Sequence, residues 1–493
     1  MVRILLLNPN KYGRGITSIW IPSHSAVLKS RGHEVRLFDC TFYKDWTVNE
    51  TDFNTANQQY KPSGYSEFIK LKTSDVRKDL SDTIKSFEPD IIFWSAISSH
   101  LHSEGEYVNI QYGHELIKDM PAKAIKIAGG LQPTAIPLEV SKRFPAIDYF
   151  IRGESEFVLS ELADNLKNKE KFLSTKGLCY RKGKQLVINP RQDIISDMDT
   201  IPLYDYSLFE DQVFFRPYNG KIVRAVDYEL SRGCVYSCDY CVETIIQKYY
   251  GFSENKNGVL CNASNYLRNK SAKRAFQELK TLNKKYKINL IRCQDANFLT
   301  IKREVLEELA DMISSSDLDI RIYIETRPEG INPSSVKLLK KLRVDGVGMG
   351  IEISIESFRK NSLNRFASQE AIINAFKLLK EAGIKRTAYN ILGLPGETEE
   401  MIHETIRFNK LLNPDNISVT FFSPFFGTGQ QVKAKETKDF NEYEYDLDQG
   451  LRSLSKSVVL SRRLLEFYKK NFVKFAREGL DKCDELKKKE GLK

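Results

Sequence analysis

The chain has 493 residues, of which 41% are hydrophobic, 28% are charged and 11% are aromatic. At roughly 150 residues per domain, this length predicts two to four domains, and the charged fraction excludes a chain disordered throughout. The net charge of +10 comes from 75 basic and 65 acidic residues without a nucleic-acid-binding motif, so we interpret it as a solvated basic surface. There is no apolar run long enough for a membrane span and no recognisable signal peptide, so we expect a cytoplasmic location.

The first third of the chain alternates short apolar runs with helical segments. Residues 3–7 and 34–39 are predicted strands, and residues 22–31 are a predicted helix bounded by a proline and a glycine. Further strands are predicted at 91–95, 124–128 and 147–152. Strands separated by helices predict a doubly wound, Rossmann-like parallel sheet whose ligand site lies at the carboxyl ends of its strands. We place this α/β domain at residues 1–167, with a polar insertion or long loop at 49–74.

A second region of strand and helix alternation follows the first. Residues 168–222 are predicted as a β-rich linker, with a hairpin at 177–187. The alternation resumes over 223–430, where candidate strands lie at 288–293, 320–325, 346–353, 388–392 and 417–422. That pattern predicts a partial or complete βα barrel of the TIM type, with its chemistry at the C-terminal ends of the strands. Residues 431–493 are predicted to be a charged, helical C-terminal segment.

Three cysteines stand close together after the strand-like residues 225–230. Cys234, Cys238 and Cys241 have the spacing Cys-x-x-x-Cys-x-x-Cys, whereas the other five cysteines are scattered. Three thiolates on one short loop can hold three corners of a four-iron cluster and leave one iron open to a ligand. A structural zinc site is the alternative, but it needs four closed ligands, and the loop holds no fourth cysteine or histidine.

This loop, including Tyr240 before the third cysteine, resembles the signature of the radical S-adenosylmethionine (radical SAM) enzymes. The resemblance implies a 4Fe-4S cluster on the three cysteines, with S-adenosylmethionine chelated to the free iron by its amino and carboxylate groups. Reductive cleavage then gives methionine and a 5′-deoxyadenosyl radical that abstracts hydrogen from a small-molecule substrate. A low-potential electron donor such as a flavodoxin or a ferredoxin is implied as well.

Polar residues end several strands of the predicted barrel and resemble later segments of the same family. Gln294 and Asp295 end one strand, Glu325 ends the next, Glu352 lies in a Gly-Ile-Glu segment and Asn390 precedes a Gly-Leu-Pro-Gly segment. The resemblance implies that these residues contact S-adenosylmethionine. A carboxylate at a strand end is more often a cap or part of a structural ion pair, but their recurrence at successive strand ends favours a site.

The N-terminal domain resembles the cobalamin-binding domain that precedes some of these barrels. The resemblance is carried by residues 6–9, 32–35, 128–134 and 152–156. Cobalamin domains of the methionine-synthase kind carry Asp-x-His-x-x-Gly after the first strand, and this chain has Asn10 where their cobalt-binding histidine stands. Further cofactor contacts that the resemblance implies are Ser95, Gly129, Gly130 and Thr134. An adaptor domain that has lost cobalamin is the alternative.

Two groups of residues keep two interpretations each. His100 and His102 follow the third strand and can point toward a corrin, although polar loop histidines are the commoner case. Four aromatic residues before the cysteine loop are candidates for either the cavity wall or the core: Tyr204, Tyr206, Phe214 and Phe215.

The two domains together predict a cobalamin-dependent radical SAM methyltransferase that acts on an unactivated carbon of a small biosynthetic intermediate. The resemblance implies that one S-adenosylmethionine remethylates cobalt while a second yields the radical. A non-methylating cyclisation, rearrangement or oxidation is the second hypothesis. A cluster-based or cobalamin-based sensor or binding protein is the third, disfavoured by the open iron and the polar strand ends. Methylthio transfer is not expected, because residues 1–167 hold one cysteine, Cys40, and cannot bind a second cluster through cysteine alone.

Overall fold

The computed structural model describes residues 1–47, 54–95, 110–120, 123–422, 425–436 and 460–492. Its strands are β1 (Arg3–Asn8), β2 (Glu34–Asp39), β3 (Ile91–Ser95), β4 (Ile125–Gly129), β5 (Tyr149–Ile151), β6 (Leu178–Lys182), β7 (Gln185–Ile188), β8 (Phe215–Tyr218), β9 (Lys221–Tyr228), β10 (Ser231–Arg232), β11 (Asn255–Lys256), β12 (Val259–Leu260), β13 (Arg268–Asn269), β14 (Leu290–Cys293), β15 (Arg321–Glu325), β16 (Val344–Glu352), β17 (Lys385–Leu392) and β18 (Asn416–Phe421).

The α-helices alternate with these strands in both halves of the chain. They are α1 (Trp20–Ser30), α2 (Val76–Phe87), α3 (Ile110–Ile117), α4 (Leu131–Ala135), α5 (Pro137–Arg143), α6 (Glu156–Asp164), α7 (Lys169–Ser174), α8 (Glu243–Tyr250), α9 (Ala272–Tyr286), α10 (Arg303–Ser314), α11 (Pro333–Lys341), α12 (Glu356–Leu363), α13 (Gln369–Glu381), α14 (Glu399–Leu412), α15 (Gly429–Glu436), α16 (Arg462–Glu478) and α17 (Cys483–Lys489). No helix within the described ranges is both long and apolar enough to cross a membrane.

The first sheet has the strand order β2-β1-β3-β4-β5-β6-β7, in which β1 to β5 are parallel. Alternate residues of β1 enter two different cores: Ile4 and Leu6 pack with α1, whereas Leu5 and Leu7 pack with α2 and α3. A strand covered on both faces must be apolar throughout, which explains the continuous hydrophobic run. The doubly wound α/β fold predicted from the sequence is confirmed.

The predicted linker at 168–222 is shared between the two sheets. Its hairpin, β6 and β7, runs antiparallel to β5 and extends the first sheet, while β8 pairs antiparallel with β9 at the edge of the second. The hairpin is therefore an edge of the N-terminal sheet instead of a free connection. The predicted domain limits at 167 and 223 remain predictions.

The second sheet has the order β18-β17-β16-β15-β14-β9-β8, and its strands from β9 to β18 are parallel. This is the partial barrel expected from the sequence. Between β16 and β17 the register shifts at Gly350 and Glu352, and Glu352 has a positive φ of 61°. A residue in this conformation is strained unless its surroundings hold it, which marks the end of β16 as a special position.

The helical C-terminus is confirmed in its described part. Residues of α16, including Phe472 and Phe475, share a hydrophobic cluster with Ile402 of α14 and Val419 of β18. The segment therefore completes the outer layer of the barrel.

Candidate active site

A cavity of about 470 Å³ lies where the carboxyl ends of the barrel strands face the N-terminal domain. All three cysteines of the predicted cluster loop line it, together with residues of the strands from β14 to β18. The N-terminal domain contributes Tyr12 and Arg14 from the loop after β1, and residues 59–61 from the predicted polar insertion. The cavity thus joins the two domains and holds the candidate cluster ligands.

The three cysteines are suited to a cluster. Cys234 accepts a hydrogen bond from the Tyr236 amide at 3.4 Å, and Cys238 accepts one from Arg327 Nη1 at 3.4 Å. Burial raises the pKa of the Cys234 thiol to about 12 and that of Cys241 well above its usual value. The Cys234 and Cys241 thiols are therefore neutral without a cluster, and binding iron must displace their protons.

The spacing of possible ligands also bears on the choice between a cluster and a single ion. Within the described ranges, no group of three histidine, cysteine, aspartate or glutamate side chains converges closely enough to hold one metal ion. A cubane places each thiolate on a different iron, so three cysteines can bind it without meeting at one point. The donor set fits an iron–sulfur cluster.

The shape of the cysteine loop is set by a glycine and an aspartate. Gly233 has a φ of 94°, and a Cβ there would lie 2.6 Å from the carbonyl oxygen of Tyr266. The fully buried Asp295 carboxylate accepts hydrogen bonds from the Leu230 amide at 3.2 Å and from the Ser231 amide at 2.5 Å. These contacts fix where the loop leaves β9 and therefore where its first cysteine lies.

A carboxylate stands beside the third cysteine at the cavity wall. Tyr240 donates its hydroxyl proton to Glu352 Oε1 at 2.9 Å, and Arg365 donates to the Tyr240 hydroxyl at 3.3 Å and to the Gly350 carbonyl at 2.6 Å. A Cβ on Gly350 would lie 2.0 Å from Glu352 Oε1, so only glycine leaves the carboxylate this position. The group can accept a hydrogen bond from a cationic or amino ligand.

Tyrosines form the opposite wall of the cavity. The hydroxyls of Tyr323 and Tyr389 are 2.8 Å apart, and Tyr389 donates to Glu325 Oε1 at 2.9 Å. A Cβ on Gly348 would lie 2.6 Å from the Tyr323 hydroxyl oxygen and 2.6 Å from the Tyr389 ring, so this glycine leaves the space that the two side chains fill. Burial raises the pKa of Tyr323 to about 12, which keeps its hydroxyl protonated.

The structure brings some of the predicted S-adenosylmethionine contacts to the cavity and leaves others outside it. Tyr240, Glu325 and Glu352 line the cavity. Asn390 lines it too, but its side-chain amide is paired with that of Asn409. Gln294, like Asp295, points elsewhere: it donates to Asp227 Oδ1 at 2.9 Å.

The predicted contacts in the N-terminal domain lie mainly at a second, smaller cavity of about 90 Å³. Ser95, Gly130 and Thr134 line it, together with residues of the cysteine loop. Gly129 is packed against the Phe93 ring, which a Cβ there would meet at 3.2 Å. His100 and His102 lie outside the described residues.

Asn10, which stands where other cobalamin domains carry their cobalt-binding histidine, braces its own loop. It is fully buried, donates to Thr41 Oγ1 at 2.9 Å and accepts from the Tyr12 amide at 2.9 Å. The amide group of Asn10 is therefore engaged in hydrogen bonds within the N-terminal domain.

Three of the four aromatic residues before the cysteine loop belong to the core. Tyr204, Tyr206 and Phe214 are buried in the main hydrophobic cluster, and Phe215 packs against Phe68. The core interpretation is confirmed for Tyr204, Tyr206 and Phe214. Phe215 is half-buried outside the core, and none of the four residues lines the cavity.

Sequence reasoning missed five arginines that line the cavity: Arg14, Arg216, Arg292, Arg327 and Arg365. Arg292 had a signal, since it shares one face of β14 with Leu290, and that face lines the cavity. Arg14 and Arg365 lie on loops far from the motif in sequence, and nothing local indicated their positions.

A buried charge network connects the N-terminal domain to the cysteine loop. Arg232, two residues before Cys234, donates to Glu229 at 2.7 Å, to Glu156 at 2.6 Å and to Glu154 at 3.2 Å. Glu154 and Glu156 belong to a segment that the sequence associated with cobalamin binding. In the structure this segment also supports the loop that carries the cysteines.

The fold and the site together define a two-domain radical enzyme, with a doubly wound domain ahead of a partial barrel that carries three cysteines. Residues 228–408 match the family described as the radical SAM superfamily. The match covers the barrel and its cysteine loop, and it supports the predicted enzyme with a 4Fe-4S cluster and S-adenosylmethionine as cofactors.

Among curated proteins, the chain is similar to a methyltransferase and to a cyclase. It is 26% identical over 350 residues to an uncharacterised methyltransferase of Pyrococcus horikoshii, covering 71% of this chain and 70% of that protein. It is 25% identical over 400 residues to the anaerobic magnesium-protoporphyrin IX monomethyl ester cyclase of Rubrivivax gelatinosus, covering 78% of this chain but only 66% of the cyclase.

Among solved structures, the radical S-adenosylmethionine methyltransferase TsrM of Kitasatospora setae is similar over most of the chain. The TM-score is 0.64 at 16% identity, and the alignment covers 89% of this chain and 76% of TsrM. That structure contains tryptophan and a SAM analogue, and another structure of TsrM contains cobalamin and a [4Fe-4S] cluster. The likeness confirms the predicted two-domain fold.

Proposed function

We propose that the protein is a cobalamin-dependent radical SAM methyltransferase that acts on an unactivated carbon of a small molecule. The observation that carries this proposal is the 470 Å³ cavity, which the cysteine loop, the barrel and the N-terminal domain line together. When bound, the cluster supplies the electron that cleaves S-adenosylmethionine to a 5′-deoxyadenosyl radical, and cobalamin supplies the methyl group.

The N-terminal domain offers a place for cobalamin. Its strand order, 2-1-3-4-5, reverses direction between β1 and β3, and ligands of such sheets bind at the carboxyl ends of the strands there. The loop after β1 meets the large cavity, and Gly130 after β4 has a φ of 100° that suits a close approach of the backbone to a ligand. Because Asn10 is occupied within its loop, we propose that the corrin binds without a lower ligand from that position.

The residues at the cavity wall have distinct tasks in this proposal. Tyr240 and Arg365 orient the Glu352 carboxylate beside the cysteine loop, where it can bind the amino or ribose hydroxyl groups of S-adenosylmethionine. Tyr389 orients Glu325 on the next strand. A low-potential flavodoxin or ferredoxin is the proposed electron donor.

A second candidate is a non-methylating cyclisation by the same radical. The observation that favours it is the similarity to the Rubrivivax gelatinosus cyclase, which covers 78% of this chain. Both candidates use the same cluster and the same cavity, so only the products separate them.

The test uses anaerobically reconstituted protein with cobalamin, a low-potential reductant, S-adenosylmethionine and an extract of candidate substrates. Mass spectrometry measures 5′-deoxyadenosine and S-adenosylhomocysteine. Matched formation of both supports methyl transfer, whereas 5′-deoxyadenosine without S-adenosylhomocysteine supports the cyclisation.

The matched control for the cluster is a pair of cysteine substitutions. Cys238→Ala should abolish 5′-deoxyadenosine formation, because it removes a thiolate that lines the cavity. Cys261→Ala, at an exposed free cysteine, should leave it unchanged. Normal 5′-deoxyadenosine formation by the Cys238→Ala protein would refute the radical mechanism.

A further inference from the structure

The cavity wall has more positive than negative charge. Among the described residues that line it, six are arginine or lysine and two are glutamate. Two of the arginines pair closely with carboxylates, Arg216 with Asp227 and Arg327 with Glu329. Arg365 lies 4.0 Å from Glu352 and donates hydrogen bonds to the Tyr240 hydroxyl and the Gly350 carbonyl. Two others, Arg14 and Arg292, are paired less completely.

Arg292 projects from β14 and keeps 26% of its side chain exposed to the cavity. Within the described ranges its guanidinium donates no hydrogen bond, and its ion-pair partner is Asp227 Oδ1 at 3.9 Å. That carboxylate already accepts hydrogen bonds from Arg216, Gln294 and Thr17. Arg292 therefore presents to the cavity guanidinium donors that no described protein acceptor uses.

Arg14 reaches the same cavity from the N-terminal domain. Its guanidinium lies over the Tyr12 and Tyr60 rings, at 5.8 and 5.4 Å from their centroids. Its hydrogen bonds are long, 3.4 Å to the Tyr12 hydroxyl and 3.3 Å to the Pro217 carbonyl, and no described carboxylate forms an ion pair with it. Burial and the Arg292 charge lower the pKa of Arg14, but the hydroxyls of Tyr12, Tyr60 and Tyr65 raise it more, so the net shift is upward. Arg14 therefore stays charged and repels the charge of Arg292. An anion between them would relieve that repulsion.

We propose that Arg14 and Arg292 bind an oxyanion of the substrate, so that the substrate is an anionic small molecule with an apolar or aromatic body. This inference rests on the proposed function, since it assigns substrate binding to one end of the same cavity. The Tyr12, Tyr60 and Tyr323 rings supply the surface for the apolar body. Arginine presents two parallel N–H groups to a carboxylate or a phosphate, which fixes the orientation of the bound molecule.

The position of the pair separates it from the cluster. Arg14 contacts Pro217 of β8, at the edge of the barrel, and Arg292 pairs in register with Tyr323 of β15. The cysteine loop has its own arginines, Arg327 and Arg365. A substrate anchored at the β8 side would therefore extend its apolar part toward the cysteine loop.

The test measures binding without turnover. Protein reconstituted with its cluster and saturated with S-adenosylmethionine is titrated calorimetrically with naphthoate, naphthamide and naphthyl phosphate, which share one ring system. Naphthoate or naphthyl phosphate should bind at least about tenfold more tightly than the neutral amide, since charge-assisted pairs are the stronger ones. The tighter of the two anions identifies a carboxylate or a phosphate ester as the substrate group.

Two substitutions on separate elements keep the test decisive if one of them disturbs folding. Arg292→Gln and Arg14→Gln should each weaken anion binding about tenfold and leave naphthamide binding unchanged. Arg303→Gln, on the exposed surface of α10, is the matched control and should bind like the parent. Equal affinity for anion and amide, or unchanged anion binding in both variants, would overturn the proposal. Because no turnover is needed, a failed methyl-transfer assay with an intact anion preference refutes only the proposed function.

Discussion

At the scale of single residues, the sequence motif identified the candidate cluster ligands but not the residues that hold their loop in place. Cys234, Cys238 and Cys241 lie together because a glycine and the Asp295 carboxylate fix the loop that carries them. Asp295 was predicted to bind a cofactor. In the structure its carboxylate accepts hydrogen bonds from the Leu230 and Ser231 backbone amides. A polar residue at a strand end looks the same in sequence whether it faces a ligand or the neighbouring loop.

Glu397 offers a test of buried charge at the residue scale. It is 1% exposed, and burial raises its pKa to about 8, although the Gly393 and Leu394 amides oppose the shift. Between the unfolded value near 4.5 and about pH 8, the folded protein holds one more proton than the unfolded chain. Stability should therefore fall by about 1.4 kcal/mol per pH unit as pH rises through that window.

Glu397→Gln removes the titration and should stabilise the protein by about 3 kcal/mol at pH 7, with little effect near pH 4.5. The measurement is the free energy of unfolding in urea at several pH values. Glu404→Gln, an exposed neighbour on α14, serves as the control and should keep the parent's pH profile. A Glu397→Gln protein no more stable than the parent at pH 7 would show that this carboxyl group is ionised when folded.

At the scale of elements, β10 and the cysteine loop are supported from the other domain. Arg232 of β10 is 4% exposed and contacts three carboxylates, two of them at the start of α6. The free-energy cost of desolvating these charges is offset only while they remain paired. Removing one partner therefore destabilises the fold by more than the intact network stabilises it.

Arg232→Gln should lower the free energy of unfolding by about 3–5 kcal/mol, because it leaves buried carboxylates unpaired. Urea denaturation of the reconstituted protein measures the change, and iron content after gel filtration reports on the loop. Arg407→Gln, at an exposed ion pair with Glu400, should change stability by less than about 0.5 kcal/mol. Similar losses in both variants would show that the buried network has no special role.

At the scale of the whole molecule, the two domains share one hydrophobic cluster. It joins Ile4 and Val27 of the first domain to Val226 and Ile291 of the second. Thr17, before α1, also donates to the Asp227 carboxylate of β9 at 3.0 Å. A continuous core of this kind couples the stabilities of the two halves.

We therefore expect one cooperative unfolding transition, with a calorimetric enthalpy about equal to the van't Hoff enthalpy. Differential scanning calorimetry of the cluster-free protein makes this measurement. Val27→Ala, in the core of the first domain, should move the whole transition to lower temperature. Two separate peaks, of which only one moves in that variant, would show that the domains unfold independently.

The sequence by itself determined the parallel sheets, the partial barrel and the three cluster cysteines. The signals for these features are local: apolar runs, helix-ending residues and cysteine spacing. Local patterns can be recognised without knowledge of the tertiary structure. Strand β2, for example, begins and ends where the apolar pattern predicted it, at Glu34 and Asp39.

Only the tertiary structure decided which polar residues face the cavity. It assigned the 177–187 hairpin to the first sheet, Glu154 and Glu156 to the support of the cysteine loop, and Arg14 to a cavity shared with Arg292. Each of these contacts joins residues that lie far apart in the chain, and a single sequence does not indicate that they meet. Their pairing depends on how two sheets pack, which no local pattern encodes.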